Sequence, residues 1–130
     1  MNLPAPPAPI EGKLVMNGAV EASVVTGGNL GQPLGIVMLN AEAALRAQDA
    51  AQRQAMEVQL KAHLDAINAH LDPHEQLACL VVVDQPWTVD NGFITPTFKV
   101  KRNRTEEMYT PLFEGWVAQH KPVVWHSGQG

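Results

Sequence analysis

The sequence predicts an α/β (α+β) domain: a small mixed sheet with helices packed on it. Three observations carry this expectation. Short runs of branched apolar residues at 20–25, 34–39 and 77–83 have the composition and length of buried strands. Met56, Leu60, Leu64, Ile67 and Leu71 recur at steps of four, four, three and four, which is one face of a helix. Helix-start signals fall between these runs, at Asn40, Asp49 and Asp72.

In chain order, four prolines in the first nine residues predict an extended linker over 1–9. A short helix over 10–15 follows, closed by Asn17-Gly18. Residues 20–25 and 34–39 read as two strands joined by a turn at Thr26-Gly27-Gly28-Asn29. Asn40 is an N-cap for a helix over 41–46, and Asp49 with Gln52 makes a capping box that starts another. One helix over 41–71 would be about 46 Å long, too long for this domain, so a break near 47–49 is expected. The Met56 to Leu71 stripe is expected to face the core rather than a coiled-coil partner. Asp72-Pro73-His74-Glu75 predicts one helical turn before the strand at 77–83, which ends at Pro86 and Trp87. Asp90-Asn91-Gly92 signals a tight turn. From Phe93 the chain alternates, with Phe98 and Val100 on one face and Thr97, Lys99 and Lys101 on the other. Pro96 removes a ladder donor, which favours an edge strand or a strand start for that run over a central strand. Thr105 is expected to cap a last helix over 106–118 that turns Met108, Leu112, Phe113 and Trp116 inward. The domain then covers 10–119, with 120–130 a frayed tail.

Composition narrows the function. A net charge of −4 over 130 residues argues against a nucleic-acid partner. Lys99, Lys101, Arg102 and Arg104 nevertheless fall within six positions, a local positive patch suited to a small anionic ligand. The single cysteine, Cys79, sits in an apolar run and reads as a buried thiol. No apolar run approaches the ~20 residues of a transmembrane segment, and no signal peptide is recognisable, so a cytoplasmic location is the expectation. His63 and His70 lie about 10 Å apart along one helix, too far to share an ion, and no metal site is expected.

Residues 87–102, WTVDNGFITPTFKVKR, resemble the W-T-x-[DE]-N-G-x-[IL]-T-P-T-x-K-x-K-R segment of AMP-forming acyl-CoA synthetases, particularly the long-chain fatty acyl-CoA ligases. Pro7-Ala8-Pro9-Ile10-Glu11 resembles the start of that family's small C-terminal domain. Residues 17–39, NGAVEASVVTGGNLGQPLGIVML, resemble the segment that follows. The likeness runs over about 7–116, with its motifs in the family's order. The resemblance implies the C-terminal lid domain of an AMP-binding adenylating enzyme. Its partner would be a large N-terminal adenylating domain of the same chain, and the hinge residue would lie outside these 130 residues. Thr26-Gly27-Gly28-Asn29 lacks the lysine and spacing of a phosphate loop, so the domain alone is expected to be inactive. ATP (with Mg2+) and CoA would be substrates of the whole ligase, and neither is expected to be held tightly by this domain.

The resemblance also implies a catalytic lysine. It falls on Lys99, with Lys101 as the alternative. In the commoner motif a glycine precedes the lysine; here Phe98 does, as in the long-chain subgroup. The ammonium would bridge the substrate carboxylate and the α-phosphate as charge shifts between them, a fixed electrostatic role. Arg102 is either structural, pairing with an acidic neighbour, or part of substrate binding together with Lys101. Trp87 reads most simply as a core or hairpin anchor. A stand-alone, non-catalytic module that binds CoA or a nucleotide is the reading of a different class.

Overall fold

A computed structural model describes residues 7–26, 33–73, 76–83, 87–97 and 99–126. Gly27, Gly28 and Asn29 of the expected turn, and His74, Glu75, Pro86 and Phe98, lie outside the described residues. Four strands form one mixed sheet in the order β1-β2-β3-β4. They are β1 (Val20–Thr26), β2 (Leu34–Leu39), β3 (Leu80–Val83) and β4 (Val123–Trp125). β1 pairs antiparallel with β2, whereas β2, β3 and β4 run parallel.

Both faces of the sheet are covered, and strand parity sorts the core into two layers. Val37, Leu80, Val82, Val123 and Trp125 face α1 (Pro7–Leu14) and α3 (Ala50–Asn68). Ile36, Met38, Val81, Val83 and Val124 face Trp87, Phe93, Tyr109, Phe113 and Trp116. In β1, Val20 and Val24 lie in opposite layers although both are even-numbered. The register slips by one between Val20 and Ala22, and this bulge inverts the parity.

The helix signals act as the sequence implies. Asn40 Oδ1 accepts the Ala43 amide to cap α2 (Ala41–Arg46), and Asp49 Oδ2 accepts the Gln52 amide to cap α3. The break falls at 47–49, as expected. Met56, Leu60, Leu64 and Ile67 are buried in the sheet-facing layer, so the stripe is core. The Gln76 amide bonds the Asp72 carbonyl at 3.1 Å, closing one turn before β3.

Four expectations are corrected. The proline-rich start is not wholly extended, because α1 begins at Pro7. Prolines in a first helical turn lack only amides that would have no intrahelical partner. β3 begins at Leu80, three residues later than the apolar run suggests. The last helix begins at Arg102, so Thr105 lies inside α4 (Arg102–Tyr109), fully buried, and does not cap it. A 3-10 turn at Thr110–Leu112, where Pro111 supplies no amide donor, then leads into α5 (Phe113–Ala118). The earlier start and the turn change the buried face: Tyr109, Phe113 and Trp116 are inside, and Met108 and Leu112 are exposed. Lastly, the expected tail contains β4, whose three residues are buried against β3.

α1 also closes the β1 edge. Glu11 accepts the Val25 amide at 2.7 Å through Oε2, and its carbonyl accepts the Ser23 hydroxyl at 3.0 Å. Exposed edge donors invite unwanted pairing, and covering them blocks it. The close seat of α1 depends on Gly35, where a Cβ would stand 2.9 Å from Leu80 Cδ2 and 3.2 Å from Leu14 Cδ1. The connections leaving β2 and β3 pass on opposite faces of the sheet. They therefore diverge at the carboxyl ends of these strands and leave a crevice between them.

Candidate functional site

Lys99 sits on a hairpin outside the sheet, built in two stages. The first is the turn after Trp87. Asn91 Oδ1 accepts the Thr88 amide at 2.9 Å, and the Thr88 hydroxyl accepts the Asn91 amide at 3.1 Å. Gly92 takes φ 86°, the left-handed region that a side chain would strain. The Phe93 and Ile94 amides then both bond the Thr88 carbonyl. Asp90-Asn91-Gly92 is thus the turn expected, with Thr88 as a partner that the local motif did not reveal.

The second stage folds 93–101 back on itself. The expected edge strand is absent: Ile94 and Val100 make an isolated antiparallel bridge, and Pro96 and Thr97 lie in the turn between. A hairpin this short cannot extend a ladder, and proline supplies no donor to one. Instead the Thr95 amide donates to the Lys99 carbonyl at 2.7 Å, and the Lys101 amide to the Phe93 carbonyl at 2.7 Å. The Thr95 hydroxyl accepts the Lys99 amide at 3.0 Å and lies 3.0 Å from the Thr97 hydroxyl. Thr95 therefore fixes the Lys99 backbone from both its amide and its side chain.

An aromatic stack holds this unit to the sheet. Trp87 and Phe93 stack at 6.2 Å between centroids, Phe93 and Tyr109 at 6.2 Å, and Tyr109 and Trp116 tilt at 5.9 Å. The Trp87 indole donates to the Tyr109 hydroxyl at 3.2 Å. Trp87 is 4% exposed, the anchor expected of it. Tyr109 is the residue that sequence reasoning missed; its signal was the step of four to Phe113, hidden by the wrong helix start.

Lys99 and Lys101 are both exposed. Lys101 immediately precedes α4, and its carbonyl accepts the Arg104 and Thr105 amides. Arg104 departs from the expected free patch: its guanidinium lies 5.3 Å from the centre of the Phe93 ring and 3.7 Å from Glu107 Oε1. The Arg102 side chain lies outside the description. So a hydrogen-bonded backbone presents an exposed cation at Lys99, an arrangement that can neutralise developing negative charge in an apposed site.

The other candidates resolve structurally. Cys79 is buried, and burial pushes its thiol up to about 11, which makes it a poor nucleophile. His63 Nε2 lies 2.8 Å from the Lys13 carbonyl, joining α3 to α1. Among the described residues no cluster of three or more His, Cys, Asp or Glu could hold a metal, and no helix is long and apolar enough to cross a membrane.

No family model matches the chain. Over 34 residues, 26% of this chain, it is 41% identical to a protein of Arabidopsis thaliana described as "Probable acyl-activating enzyme 16, chloroplastic". Among solved structures it is similar to the adenylation domain of the carboxylate reductase of Mycobacterium chelonae. There the TM-score is 0.70 and the identity 23%, over 85% of this chain. It is also similar to the A-PCP didomain of the carboxylic acid reductase of Segniliparus rugosus in complex with AMP, with TM-score 0.65 and 21% identity over 86% of the chain. The chain spans 5% of the plant protein and 16–17% of these two structures. The likeness to AMP-forming adenylating enzymes read from the motifs thus extends to the fold, which matches part of these adenylation domains.

Proposed function

We propose that this chain is the C-terminal lid domain of a larger adenylate-forming enzyme, and that Lys99 serves its adenylation step. The observation that carries the reading is Lys99 itself. It is an exposed cation on a hairpin locked at Thr95 and at Phe93, in a fold shared with adenylation domains. In the reaction, a carboxylate oxygen attacks the α-phosphorus of ATP and pyrophosphate leaves, giving an acyl-adenylate. Lys99 contributes its ammonium between the entering carboxylate and the α-phosphate, where negative charge is redistributed. It moves no proton. Lys101 and Arg102 add positive potential on the approach to the site.

The second half-reaction follows from the ligase reading: the CoA thiol attacks the acyl carbon, AMP leaves, and a thioester forms. Fatty acids are the substrate class suggested by the sequence form of residues 87–102. The solved neighbours support a second reading for this half alone, since they are carboxylic acid reductases and one is an A-PCP didomain. In this second reading a thiol on a carrier domain, in place of CoA, would accept the acyl group. The test is ATP–pyrophosphate exchange by the parent enzyme with and without residues 7–126, followed by addition of CoA. Loss of exchange on deletion is the expected result. Undiminished exchange would leave this domain no part in adenylation, and exchange without thioester formation would favour the carrier thiol.

A further inference from the structure

The crevice at the carboxyl ends of β2, β3 and β4 is a cleft of about 570 Å³, and none of the residues that line it belongs to the Lys99 hairpin. Its walls are mainly apolar, including Leu39, Ala44, Val82, Val83 and Trp125, with Asn40 and Gln48 as amides. Its volume lies in the small-ligand range, and open α/β sheets bind ligands where the connections from adjacent strands part.

Two charged residues line it, Arg53 and the exposed Glu21. Arg53 is half-buried, and its guanidinium lies 4.2 Å from the centre of the Trp125 ring. Glu57, one turn along α3, accepts the Trp125 indole N–H. Arg53 Nη2 is buried without a hydrogen-bond partner, and no ion pair forms between Arg53 and a carboxylate among the described residues. A buried guanidinium nitrogen ordinarily has a hydrogen-bond partner, because stripping water from a polar N–H without replacing it is costly.

We infer that this cleft binds a small amphipathic monocarboxylate, with Arg53 as the anion anchor and Val82, Val83 and Trp125 as the seat of its apolar body. One cation fixed by stacking suits the planar carboxylate fork. Glu21 at the rim opposes a dianion, which favours a carboxylate over a phosphate. The inference stands apart from the Lys99 reading.

The test uses the 130-residue chain and sodium octanoate, followed by NMR at the Trp125 indole and the Asn40, Gln48 and Glu21 amides. Octanoate should shift these signals saturably, while octanol and inorganic phosphate bind at least ~10-fold more weakly. Arg53→Gln should weaken octanoate roughly tenfold or more, and Arg53→Lys by less. Shifts elsewhere, octanol binding as tightly as octanoate, or phosphate competing on equal terms would each overturn the inference. The octanol comparison needs no variant, so it decides the matter even where Arg53→Gln does not fold.

Discussion

Replacing Gly92 by alanine tests how the lysine hairpin is held in place. Gly92 sits at φ 86°, and the nearest atom to an added Cβ, beyond the chain neighbours, is Arg104 Nε at 3.9 Å. The methyl group therefore clashes with nothing, and the change acts through the backbone alone. An L-residue in the left-handed region costs about 1–2 kcal/mol. For a domain of this size that lowers Tm by about 3–10 °C. Gly115, in α5, is the control: an added Cβ meets nothing within 4 Å, and its φ is unremarkable. There alanine should stabilise by ~0.5–1 kcal/mol, since glycine loses more freedom on folding. Urea unfolding of both variants, followed by circular dichroism, should show shifts of opposite sign. If Gly92→Ala were neutral or stabilising, the turn would not need its left-handed residue and the account of the hairpin would fail.

Gly35→Ala should destabilise by about 1–3 kcal/mol, because its Cβ would meet Leu80, Leu14 and Leu77 at 2.9, 3.2 and 3.4 Å in a packed layer; denaturant unfolding measures it. Asn40→Ala and Asp49→Ala should each lose ~1 kcal/mol through their caps, with Asn40 the larger because its Nδ2 also bonds the Gly18 carbonyl. Cys79 gives a pH dependence. Its thiol holds its proton to about 11 in the folded protein, above the ordinary value of 9.0. Its contribution is complete below pH 9 and is lost as pH rises to 11, by about 2–3 kcal/mol in all. Comparing stability from pH 8 to 11 with that of Cys79→Ala isolates the effect; parallel curves would remove Cys79 as its source.

Much of this was legible because the signals were local. Asn40 and Asp49 cap the helices they announce, and the α3 stripe faces the sheet, since capping and periodicity act within a few residues. What escaped the sequence was set by contacts far along the chain. Val123 to Trp125 become a strand only because β3 offers a parallel partner more than forty positions away. Thr105 is buried inside α4, three residues past its start, and a threonine before a polar run reads equally well as a cap. Lys99 was visible as a motif, but its support, from Thr95, Phe93 and Tyr109, required the fold. The Arg53–Trp125 stack joins α3 to β4, and no spacing rule connects residues so far apart.

The most direct test of the central claim is Lys99→Ala in the parent enzyme, with the two half-reactions measured separately. Pyrophosphate release from ATP and fatty acid should fall by roughly 10²–10³-fold, the effect of removing one fixed electrostatic group. Thioester formation from synthetic acyl-adenylate and CoA should stay near that of the unmodified enzyme. Lys99→Arg should not restore the first step, because the planar guanidinium has a different reach. If pyrophosphate release persisted undiminished, Lys99 would be a surface lysine and the proposed role would be contradicted.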